Sequence, residues 1–234
     1  MVRHPSCDVI VLRLRANRSG TDAVEREALL KLLDGLPLAV AQAASYLRQS
    51  GIGVGKYIEL YEQQWKGLME SQDRAGTLLR DYPERSIWTT WMISYHAIRA
   101  KSMATANLLL LWACLDNKDL WYGLLAEARG AVAGYLSEWL PGVVDSEVDF
   151  IAAMQLLHSY SLAEGVQDVA SYATHPVVHR WAFNIQDEEQ RAVFTRLAIV
   201  VVGWAVPDMS KKGYSGMQRR LLAHAQQCYQ WVIR

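Results

Sequence analysis

The stretch of this chain nearest to nucleotide chemistry is Ser50-Gly51-Ile52-Gly53-Val54-Gly55-Lys56-Tyr57. A phosphate-binding loop needs G-x-x-x-x-G-K-[ST] between a strand and a helix, so that backbone N–H groups wrap the phosphates and a hydroxyl meets magnesium. Here Ser50 stands where the first glycine belongs, Tyr57 stands where the hydroxyl belongs, and a helical run precedes. The stretch reads as a connector between two helices. His175 and His179 have the i, i+4 spacing of a zinc pair, but Pro176, Val177 and Val178 lie between them, without the glutamate of H-E-x-x-H. No third ligand is evident. His96 and His158 fall on apolar helical faces and read as core histidines, while His179 reads as a surface neighbour of His175. Ser45 and Ser94 have no histidine or acid at a recognisable spacing, so nucleophilic catalysis finds no set of residues to carry it.

Composition narrows the classes further. Twenty-four basic and 24 acidic residues leave a net charge of zero, so no global field draws the chain to nucleic acid or an anionic membrane. Cys7, Cys114 and Cys228 are scattered, form no C-x-x-C pair, and fit a reducing, cytoplasmic setting. Arg13 and Arg15 interrupt the early apolar run, which argues against a signal peptide. The apolar stretches Leu108–Leu115 and Leu197–Val206 fall well short of the about 20 residues of a membrane span. Nine tryptophans against three phenylalanines, with Trp88, Trp91, Trp112 and Trp121 close together, place the densest core there.

These residues need elements to hold them. A short β-branched run at 8–14 predicts a strand. Thr21 caps a helix with Val24, Ala28, Leu29, Leu32 and Leu33 on one face. Pro37 opens a second helix that Gly51 stops, and Lys56–Met69 forms a third. The polar stretch Glu70–Arg85, with Gly76 and Pro83, predicts a boundary. Helices are expected over 87–99 and 102–115, from Asp119, and over 147–159, with Phe150, Ile151, Met154, Leu157 and His158 on one side. A hairpin follows from Ser161–Glu164 and Val169–Ala173, then helices from Pro176, over 187–206 and over 217–232. The fold class is therefore mainly α: a small helical bundle, a winged helix with a short hairpin, and trailing helices.

Two ordered patterns carry a family likeness. Gly35-Leu36-Pro37-Leu38-Ala39 and Thr174-His175-Pro176 resemble the GLPLA and MHD motifs of NB-ARC proteins, the STAND-class switches. Between them, SIWTTWMISYHAIRA and ANLLLLWACLD resemble the start of the winged-helix domain in fungal NLR-like members, and RRLLAHAQQCYQWVIR resembles the helix leading into their tetratricopeptide arrays. The resemblance covers about residues 21–234. It implies a remnant strand of a nucleotide-binding domain at 1–20 and a helical domain carrying GLPLA at 21–80. A winged-helix domain ending in the MHD-like motif would span 81–186, and a helical linker toward a repeat region 187–234.

In that family the GLPLA proline packs against the adenine side of ADP, and the MHD histidine reaches the β-phosphate in the closed state. The resemblance carries these roles to Pro37 and His175, with Leu38 a neighbouring contact; the aspartate position holds Pro176. The chain is thus expected to be a regulatory lid without catalysis of its own. It would need no cofactor alone and would act with ADP or ATP in a complete NB-ARC protein. Its partners would be that protein's nucleotide-binding and repeat domains, with oligomerisation on activation and no nucleic acid or membrane. The rival is a winged-helix DNA-binding module, which should show Lys and Arg on its recognition helix. Glu147–Ser159 has none, and the cluster of Lys211, Lys212, Arg219 and Arg220 reads as a solvated face.

Overall fold

The computed structural model describes residues 20–75, 82–129, 138–166, 170–208, 210 and 213–233. The expected strand at 8–14, together with Cys7, Lys211 and Lys212, lies outside them. Among the described residues the chain is mainly α, with eleven helices and one two-stranded antiparallel sheet. It divides into two compact units. The first is 1–97 with Ser159–Ser161, the second 98–158 with 162–234, so the division falls within one helix, downstream of the polar Glu70–Arg85 stretch.

The first unit is built from α1 (Gly20–Leu32), α2 (Pro37–Ser50), α3 (Val54–Ala75) and most of α4 (Tyr82–Lys101). Leu29, Leu33, Ala39, Val40, Ala43, Tyr57, Tyr61 and Ile93 form its core. The alanines keep α2 thin, so the rings of Tyr57 and Tyr61 fill the space beside it. Of the apolar face expected on α1, Val24 is 70% exposed and only Leu29 and Leu33 are buried.

The connector between α1 and α2 explains its own sequence. The Gly35 N–H donates to Leu30 O and the Asp34 N–H to Lys31 O, both at 3.0 Å, which is a Schellman stop. Asp34 takes the left-handed position at φ 56°, Gly35 follows at φ 62°, and Leu36 turns back to extended backbone. Pro37 then enters at the first helical position, where a missing N–H costs nothing.

The connector between α2 and α3 is the glycine-rich stretch. Gly51 ends α2 in the left-handed conformation at φ 69°. The Gly55 N–H, in the first turn of α3, donates to Glu25 Oε2 at 3.0 Å. A Cβ on Gly55 would lie 2.9 Å from Glu25 Oε1, so the carboxylate sits directly over this backbone. The stretch joins two helices, and a side-chain carboxylate already occupies its helix end.

The second unit is organised about α5 (Met103–Trp112), in which Leu108, Leu109, Leu110, Leu111 and Trp112 are all buried. A helix apolar on every side must be surrounded. Around it pack α7 (Pro141–Val144), α9 (Pro176–Asn184) and α10 (Glu188–Trp204). Each buried leucine contributes about 1.5–3 kcal/mol relative to exposure. The short α6 (Tyr122–Ala126) precedes α7. Asp119 lies outside any helix, three residues before α6, because it holds a left-handed turn at φ 55°.

Helix α8 (Glu147–Ser159) buries Phe150, Ala153, Met154 and Leu157. Ile151 and His158, expected on that face, are exposed, since the buried stripe runs through Ala153 instead. The hairpin follows, β1 (Glu164–Val166) and β2 (Ser171–Ala173), in register Glu164↔Ala173, Gly165↔Tyr172 and Val166↔Ser171. Helix α11 (Tyr214–Val232) is the last element.

Candidate functional site

His175 follows β2 by two residues and is the N-cap of α9, at φ −62° and ψ 135°. Its ring is exposed. Nδ1 accepts the Val177 N–H at 3.3 Å, which assigns the proton of the neutral ring to Nε2. The result is one imidazole N–H donor on the surface of the second unit, held at the junction of a strand and a helix. Pro176 explains the capping: it removes one orphan amide, and His175 covers the next.

His179 differs from its expected surface position. It is half-buried, and its Nε2 donates toward Trp112 O at 3.1 Å and Leu115 O at 3.0 Å, at the end of α5 and just beyond it. Burial holds its pKa below the ordinary histidine value, although the two carbonyls and Asp116 favour the charged form. His96 and His158, expected in the core, are both exposed. The fully buried histidine is His224, on α11.

His224 belongs to a cluster that sequence spacing did not reveal. Its Nδ1 accepts the Asp116 N–H at 3.2 Å and its Nε2 donates to Asp119 O at 3.2 Å, so the neutral ring satisfies both nitrogens. One turn earlier on α11, Arg220 grips the Asp119 carboxylate with two bonds, Nη2 to Oδ1 at 2.6 Å and Nε to Oδ2 at 2.8 Å. The guanidinium also lies 4.0 Å above the Trp121 ring. Partial burial would raise the Asp119 carboxyl, but Arg220 and the Ser171 hydroxyl outweigh it and hold the pKa below its ordinary value. Arg220 is therefore not part of a solvated basic face. The i, i+4 pair Arg220 and His224 was the available signal; its partner, 101 residues away from Arg220, was not.

The same loop supports the strand before His175. Leu120 and Tyr172 exchange both backbone hydrogen bonds, at 3.0 and 2.8 Å. The Thr174 N–H donates to Asn117 O at 2.9 Å, and Asn117 Nδ2 donates back to Thr174 O at 2.9 Å. Thr174 Oγ1 donates to Leu162 O at 2.8 Å. Thr174 is buried while His175 is exposed, which fixes where the chain leaves the core.

Pro37 lies in the first unit and His175 in the second. Among the described residues no group of three His, Cys, Asp or Glu is placed to hold a metal ion, and no helix is long and apolar enough to cross a membrane. Cys114 and Cys228 are buried free thiols, and burial pushes them up to about 11 and about 12, far from thiolate chemistry at neutral pH.

Comparison with known proteins gives one informative similarity. Over 192 residues the chain is 24% identical to a nucleotide-binding leucine-rich repeat (NLR)-like protein of Hyaloscypha variabilis. The match covers 79% of this chain and only 17% of that protein. No protein-family model and no solved structure matches the chain.

Proposed function

We propose that this chain is the regulatory lid of an NLR-like nucleotide-dependent signalling switch. The observation that carries the reading is His175: an exposed imidazole with its proton assigned to Nε2, seated immediately after a hairpin strand and capping a helix. That is the placement from which a donor can meet a phosphate oxygen presented by another domain. The similarity to a protein named for nucleotide binding agrees with it.

In this reading α8, the hairpin and the flanking helices act as a winged helix, and α11 leads toward a repeat domain. ADP is the resting ligand, and Pro37 supplies a flat contact on its adenine side. Release of the lid exchanges ADP for ATP and permits oligomerisation in the cytoplasm. The partners are the nucleotide-binding and repeat domains of a longer protein. The DNA-binding alternative is not favoured, because α8 carries Glu147 and Asp149 in its first turn and no Lys or Arg.

The chain has no phosphate cradle of its own, so it should neither hydrolyse nucleotide nor bind ADP in the micromolar range. Calorimetry of the purified chain with ADP and Mg²⁺ tests this. Micromolar binding, or measurable turnover, would overturn the assignment of a lid that contributes only flanking contacts.

A further inference from the structure

The loop from Asp116 to Trp121 is held from two sides by different elements. On one side it pairs with β2 and Thr174 through the Leu120–Tyr172 and Asn117–Thr174 bonds. On the other, α11 grips it through Arg220 on Asp119 and His224 on Asp116 N–H and Asp119 O. Between the two sides Asp119 sits in the left-handed region at φ 55°. That conformation is less favourable for a residue with a side chain than for glycine, and its surroundings hold it there.

We propose that this loop is a two-sided latch, by which docking of α11 sets the backbone that presents His175. With Arg220 in place, the Asp119 carboxylate is pinned and its carbonyl is turned to His224. Leu120 then offers both its N–H and its C=O to Tyr172. When α11 lifts away, Asp119 relaxes out of the left-handed region and the Leu120 peptide groups rotate off the strand. The pairing that steadies Tyr172, Thr174 and therefore His175 is lost. A pull on the C-terminal helix is thus converted into loosening of the histidine-bearing strand. The charged and titratable groups facing His224 are Asp116 and Asp119 on the loop and Arg220 on its own helix.

The consequence for a ligand rests on the lid reading above, but the mechanical coupling does not, and it is tested without nucleotide. Amide exchange of the whole 234-residue chain is followed residue by residue, by NMR, for wild type and Arg220→Ala. The latch requires Tyr172 and Thr174 to exchange about tenfold faster or more in the variant, with Met154 and Leu157 of α8 unchanged. Asp119→Gly combined with Arg220→Ala should slow Tyr172 again, because glycine holds the turn without the clamp. Faster exchange confined to α11, or no recovery with glycine, overturns the latch. If Arg220→Ala unfolds the chain, seen as loss of α8 protection, Arg220→Lys gives the same comparison with the charge kept and the fork lost. A working latch beside an ineffective His175→Ala would sink the lid reading alone.

Discussion

Burial disfavours the charged form of both His224 and His179, although the carbonyls that each ring faces favour it. Burial lowers both pKa values, so the unfolded state takes up a proton before the folded state does. Their contribution is complete above the unfolded value of about 6.5 and is lost as pH falls through the depressed folded values. The unfolding midpoint in urea should therefore drop between pH 7.5 and pH 5, and His224→Gln should flatten that drop. Asp119 acts in a lower window, its contribution present above the ordinary carboxyl value of 3.8 and lost as pH falls beneath it, so it does not confuse the comparison. The two histidines of the i, i+4 pair should also separate in stability. His179→Ala takes the ring N–H away from the half-buried Leu115 carbonyl, while Trp112 O keeps the Leu115 N–H, and should cost about 1–3 kcal/mol. His175→Ala removes one long N-cap bond and should cost about 0.5 kcal/mol. Sequence spacing marked the pair but not which member faced inward, because that depends on where α5 ends against α9.

At the scale of elements, local rules were legible wherever a residue's backbone preference sufficed. Pro37, Gly51 and Pro176 mark helix ends that the structure keeps, and the run Glu147–Ser159 has the same limits in both. The hairpin was legible from its change of period, although its strands run Glu164–Val166 and Ser171–Ala173, displaced by up to three residues from the expectation. Asp119, from which a helix was expected, lies instead in a left-handed turn and pairs with Arg220, a partner too distant in the chain to read from local sequence. The faces of α1 and α8 were only half legible, since periodicity names an apolar stripe without saying how wide its neighbours make it. The Asp34-Gly35-Leu36-Pro37 turn gives a direct test of local logic. Gly35 has open space around a hypothetical Cβ, so Gly35→Ala is penalised by its φ of 62° alone. It should cost about 1–2 kcal/mol in equilibrium unfolding, while a larger loss would mean that the turn packs against something unseen.

For the whole molecule, the mainly helical class followed from periodicity and the absence of long alternating runs. Polar composition marks Glu70–Arg85 as a boundary, of which 76–81 lie outside the described residues; the compact units separate between Ala97 and Ile98 inside α4. The proposed function rests on two short motifs, whereas the cluster of Asp119, Arg220 and His224 comes together by folding alone. The chain matches 17% of its NLR-like relative, so its proposed ligand is to be sought in a longer protein. The decisive measurement replaces the matching segment of the Hyaloscypha variabilis protein with this chain and follows ADP release from the purified chimera, with and without His175→Ala. A hydrogen bond to a charged group contributes about 1.5–3 kcal/mol, so the substitution should reduce ADP retention roughly ten- to a hundredfold. A chimera that holds ADP equally well with alanine at position 175 would contradict the account.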